Sequence, residues 1–258
     1  MDAEDKDRRL RPHKRAYTDL PEDFEYVTLF HRACITLADS AASSFTSQQV
    51  TIVVGADSED ELRAFYAHEK ILAKNSDFFA AALRGLWTES KEHIVRLPDQ
   101  TPGSFELFLR FIYRGDIRKR ADYGFEYADT SYAELMVRCW ALGEKMLCTA
   151  FQDAVMDALQ EEIFRLPATP DELHEPIYSF TSTPNALSRL WVDIAFFEWN
   201  HRDLREMVDP AKHGEFLLHL AGKLLNSTHQ DRQNVPPYDR VTGCDYHEHV
   251  KKGLPCYK

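Results

Sequence analysis

Near the C-terminus, Cys244-Asp245-Tyr246-His247-Glu248-His249 is followed by Cys256, seven residues beyond His249. Two thiolates and two imidazoles form a Cys2His2 set, the donor mixture that tetrahedral zinc takes. His247 and His249 stand only two apart, closer than in a standard finger, so two readings stay open: a zinc knuckle, or a polar tail in which Cys and His fall by chance. His68 has the residue type of a general base, but no Ser or Cys nucleophile with an orienting partner accompanies it in sequence, and a capping or core role is expected. Glu161-Glu162 and Asp171-Glu172 could be cast as acid/base pairs, yet both fall where helices carry solvated or N-terminal charge. The chain has no Walker loop, nucleophile elbow or dinucleotide fingerprint. No catalytic residues and no enzymatic activity are expected.

The elements that must position these residues can be read from periodicity. Val50-Thr51-Ile52-Val53-Val54 is a β-branched run closed by Gly55, and after a polar turn Leu62 to Ala67 reads as a second strand. Ile71, Leu72, Phe78, Phe79 and Leu83 follow at helical spacing, with Ser76 placed to cap a fresh helix after a break at Asn75. Ile94 to Leu97 is a third strand. Thr101-Pro102 then opens an amphipathic helix with Phe105, Phe108, Leu109 and Ile112 on one face, and Gly115 ends it. Helices are expected from Tyr132 to Met146 and from Phe151 to Phe164. Others should open at Thr169-Pro170 and at Thr183-Pro184, and a last one should carry Phe216, Leu217, Leu220 and Leu224. Trp191, Phe196, Phe197 and Trp199 lie on more than one side of their helix, which fits burial in a bundle, the favoured reading, or half of a partner-binding groove.

Composition narrows the class. The 258 residues are 44% hydrophobic and 28% charged, as in an ordinary globular protein. A net charge of -11, with no dense basic stripe, disfavours nucleic acid as a partner. No apolar run approaches the roughly 20 residues that span a bilayer, and the acidic start Met1 to Asp5 lacks a signal core, so no membrane is expected and the cytoplasm or nucleus is the expected location. Five cysteines, an odd number, do not suggest a disulfide framework.

The order strand, strand, helix pair, strand, helix, helix pair resembles that of the BTB/POZ domain. His68-Glu69-Lys70-Ile71-Leu72-Ala73-Lys74-Asn75-Ser76-Asp77-Phe78-Phe79 is similar to the family pattern His-x3-Leu-Ala-x2-Ser-x2-Phe, and Phe111-Ile112-Tyr113-Arg114-Gly115-Asp116 resembles the helix end that follows it. Leu86 to Ser90, with the helical C-terminal half, resembles the fungal members. The resemblance implies an α+β BTB/POZ fold, a small β-sheet clasped by helices, followed by an all-α C-terminal region. It also implies a protein-protein interaction module.

In cullin-binding members a hydrophobic residue, any residue and then an acid contact the cullin, and Trp87-Thr88-Glu89 aligns with that position. Trp87 and Glu89 are therefore the expected protein-binding residues of an adaptor that docks a partner onto a cullin-type ubiquitin ligase. The alternative is an oligomerising scaffold or transcription-associated protein without cullin binding. Members with a swapped homodimer often carry an acid just before the first strand, where this chain has Gln48-Gln49; a protein at least partly dimeric through the Val27 to Leu37 helix and the BTB core is expected. The expected organisation is a tail at 1–23, a BTB/POZ domain with a lead-in helix at 24–147, a helical extension at 148–227, and a tail at 228–258 bearing Cys244, His247, His249 and Cys256 as a zinc knuckle.

Overall fold

The β-branched run around Ile52 is the middle strand of a three-stranded sheet in the computed structural model of the chain, which describes residues 47–56, 62–84, 92–117, 132–165, 173–182, 184–228, 231, 234–236, 238 and 243–258. At 162–165 and 207 only the backbone is described. All described residues fall in one unit, Ser44–Lys258. The expected lead-in helix with Val27 to Leu37 lies outside them, as do Trp87 and Glu89.

Strand β1 (Gln49–Val54) pairs antiparallel with β2 (Arg63–His68), Ile52 opposite Phe65, and parallel with β3 (Ile94–Leu97), Ile52 opposite Val95. Period-two side-chain alternation sends Val50, Ile52 and Val54 to one face, where all three are fully buried. A parallel neighbour requires a crossover, and the helix pair α1 (Glu69–Asn75) and α2 (Asp77–Ala82) lies in that connection. Ser76 divides the pair as expected: its Oγ accepts from the Phe79 backbone N–H at 3.2 Å and donates to the Met146 carbonyl at 2.6 Å.

Helix α3 (Pro102–Arg114) is capped by Thr101 and ends on Gly115, whose φ of 77° is left-handed and suits glycine. Its buried face brings Phe105 and Phe108 onto Phe79, with ring centroids 6.3 Å apart in each case. Helices α4 (Tyr132–Lys145) and α5 (Thr149–Arg165) follow, and Phe151 of α5 meets Phe108 edge-on at 5.3 Å. The aromatic core beneath the sheet thus extends into α5.

Among the described residues, the remaining helices are α6 (His174–Phe180), α7 (Ala186–Glu198), α8 (His201–Met207), α9 (Gly214–Leu225) and α10 (Glu248–Lys252). Trp191, Phe196 and Trp199 are buried, as bundle residues should be. Helix α7 starts later than Thr183-Pro184 suggests, because Asn185 and Ser188 form a reciprocal capping box that fixes the first turn. The Thr169-Pro170 start lies outside the described residues, and α6 begins at His174 without a side-chain cap. Residues 243–258, read from sequence as part of a tail, pack against α5 and α7: Tyr246, His247, Glu248 and His249 are buried. Their partners are polar, so no apolar periodicity marks them. Among the described residues, no helix is long and apolar enough to cross a membrane.

Candidate functional site

One ligand atom from each of Cys244, His247, His249 and Cys256 lies within 4.8 Å of all the others. The chain achieves this with a turn and one short helix. The His247 N–H donates to the Cys244 carbonyl at 3.0 Å, closing the turn, and α10 then carries the chain to Gly253, whose φ of 63° ends the helix and lets the last residues return Cys256 to the cluster.

Helix α5 supplies the other half of the site. Asp153 and Asp157 are one helical turn apart and so share a face. A carboxylate only accepts, so each paired imidazole nitrogen carries the proton: His249 Nδ1 donates to Asp153 Oδ2 at 2.7 Å, and His247 Nε2 donates to Asp157 Oδ1 at 3.0 Å. That fixes both tautomers and leaves His247 Nδ1 and His249 Nε2 as lone-pair donors. His247 is 1% exposed, and its Nδ1 has no hydrogen-bond partner. Asp153 also accepts from the backbone N–H of Glu248 at 2.6 Å and of His249 at 3.3 Å, which satisfies the start of α10.

Asp157 is held ionised. Burial pushes its carboxyl up, but hydrogen bonds from His247, Tyr257 and Lys258 outweigh that and keep it below the usual carboxylate range. Burial, and then the neighbouring Cys256, raise the Cys244 thiol. That is opposite to the shift of an activated nucleophile. A Cys-His-Asp nucleophile would need one thiol and one imidazole; a second thiol and a second imidazole with its own carboxylate are superfluous to it, and the four donors together are of the type and number that could hold a metal ion.

Further hydrogen bonds hold the segment down. Tyr246 Oη donates to Asp193 Oδ2 at 2.6 Å, the Ala186 N–H donates to Glu248 Oε1 at 2.9 Å, and Lys252 Nζ donates to Thr149 Oγ1 at 2.8 Å. Asp153 and Asp157 are site residues that the sequence reading missed. The signal was their i, i+4 spacing, which is too common on solvated helices to single out.

His68 lies at the N-cap position of α1 without capping it. Its backbone N–H donates to Tyr113 Oη at 2.9 Å, and that hydroxyl lies 2.8 Å from His68 Nδ1 and can donate to it. The two sequence motifs are thereby joined, and His68 is a structural residue here. Glu161 is half-buried at the end of α5; Asp171 and Glu172 lie outside the described residues.

A family model described as "BTB/POZ domain" matches residues 43–159. A curated Arabidopsis thaliana protein, "ARM repeat protein interacting with ABF2", is 32% identical over 83 residues, which is 32% of this chain. The match spans only 11% of that relative's length. Among solved structures, "BTB domain of zebrafish PATZ1" matches with a TM-score of 0.31 and 17% identity, covering 55% of this chain and 99% of that one.

Proposed function

The chain carries a BTB/POZ domain over residues 43–159, and from that premise we propose that it is a non-enzymatic adaptor that docks a partner onto a cullin-type ubiquitin ligase. A BTB/POZ domain is a protein-protein interaction module, and the family match is the observation that carries the reading. Trp87 and Glu89 are the proposed cullin contacts, an apolar anchor beside a carboxylate that can pair with a basic residue. The helical second half would hold the other partner. The fungal character rests on Leu86 to Ser90 and on that helical half.

The second reading is an oligomerising scaffold, and β2 favours it. Among the described residues β2 is an edge strand, and Tyr66 on it is 67% exposed. Edge strands offer backbone groups to another chain. The curated relative's printed name also describes a protein that interacts with another protein.

Capture of a cullin by the purified chain, compared with a Trp87→Ala/Glu89→Lys variant, tests the adaptor. Wild type should bind, and the variant should lose roughly tenfold or more in affinity, as loss of an interface anchor does. Equal capture by both would remove the site. No capture by either, with dimers seen by light scattering, would replace the adaptor with the scaffold.

A further inference from the structure

We propose that Cys244, His247, His249 and Cys256 bind one zinc ion, a closed structural site that fastens residues 243–258 to helix α5. The inference is independent of the adaptor reading. It stands first on convergence: four soft or borderline donors, two of them buried histidines, lie within 4.8 Å of one another. Bond lengths of about 2.0–2.3 Å put the donors of a tetrahedral zinc about 3.3–3.8 Å apart, so the cluster closes around the ion by about 1 Å.

The second observation does not depend on the distances among the donors. His247 Nδ1 is buried with no hydrogen-bond partner, a costly arrangement for a polar atom unless something fills it. Its other nitrogen is committed to Asp157, and His249 Nδ1 is committed to Asp153. A carboxylate behind each imidazole fixes its tautomer and raises its basicity, which is the usual outer sphere of a zinc-bound histidine. Calcium and magnesium prefer oxygen donors, so an S2N2 set selects against them. Four protein ligands leave no open position for water, which makes the site structural and not catalytic.

The charge balance of the site also admits the ion. Two thiols meet at the cluster, and each loses its proton on binding. Both resulting charges are then neutralised by one dication, while Asp153 and Asp157 are already offset by the imidazole N–H groups, the Tyr257 hydroxyl and Lys258.

The test is the metal content of the full chain, purified without a metal-affinity tag and equilibrated with zinc. Wild type should hold about one zinc per chain, Cys244→Ser/Cys256→Ser none, and Asp153→Asn should bind about 10–100-fold more weakly, as loss of an outer-shell carboxylate does. Chelation of wild type should make residues 243–258 susceptible to protease, and added zinc should restore protection, so the result does not depend on the double variant folding. Near-zero metal in wild type after equilibration overturns the proposal. So does a Cys244–Cys256 disulfide in the purified wild-type chain, mapped by mass spectrometry of non-reduced peptides, which would stand in place of the ion.

Discussion

His174 shows how one buried side chain can make the fold acid-sensitive. It is 2% exposed, stacked on Tyr178 with ring centroids 5.1 Å apart, and edge-on to Phe216 at 4.6 Å. Trp191 Nε1 donates to its Nδ1 at 3.0 Å, so that nitrogen must stay unprotonated for the bond to exist. Burial, and then the charge of nearby His213, lower its pKa from 6.5 to about 4. Between those values the unfolded chain binds a proton that the folded chain refuses. Stability from this group is therefore present above pH 6.5 and is lost as pH falls toward 4, by about 3 kcal/mol in all. His174→Phe leaves the Trp191 N–H unpaired but also removes the His174 Nε2–H, which is itself buried without a partner, so with each worth about 1–3 kcal/mol the two oppose and stability at neutral pH should change little. The variant should nonetheless show a shallower decline in urea midpoint across that window. Parallel pH profiles for the two proteins would assign the acid sensitivity to other groups.

At the scale of elements, close packing outweighs propensity where α4 meets α5. A Cβ on Gly143 would come 2.7 Å from Gln152 Cγ and 3.1 Å from Phe151 Cδ1, and both neighbours are buried. Alanine gains about 1 kcal/mol in helix propensity over glycine, whereas overpacking costs about 1–3 kcal/mol. Gly143→Ala should therefore lower the melting temperature, while Gly222→Ala in α9, with nothing within 4 Å of the added carbon, should raise it slightly. If both raise it, the helix pair is looser than described. The same contrast between local and distant determinants explains which elements were legible. Thr101, the Phe105/Phe108 stripe and Gly115 delimit α3 from within its own sequence, and Ile94–Leu97 is bounded by its own turn. Helix α10 was not legible, because it is polar and its partners Asp153 and Asp157 lie about ninety residues earlier in the chain. The four cysteines and histidines could be picked out by donor type alone; only the fold identifies the carboxylates behind them. Asn185 was passed over for Thr183-Pro184 because both are good starts, and only the Ser188 partner in place decides between them.

For the whole molecule, α5 is the shared member. One part of it sends Phe151 onto Phe108 and Phe111 beneath the sheet, at 5.3 and 5.4 Å, and Asp153 and Asp157 receive the C-terminal segment. That segment in turn holds α7 through Tyr246–Asp193 and Glu248–Ala186. A chain of this length would ordinarily be free to unfold in steps. Here neither half can open without disturbing α5, so helix loss by circular dichroism and exposure of Trp140, Trp191 and Trp199 by fluorescence should coincide in urea. Removing residues 243–258 strips Asp153, 1% exposed, of its imidazole and backbone donors. Hydrogen bonds to a charged group contribute about 1.5–3 kcal/mol each, so the truncated chain should lose about 3 kcal/mol or more. Both signals should shift together. A truncation that moves the fluorescence midpoint while the sheet and α3 keep theirs would mean that the two halves unfold separately, and that α5 does not couple them.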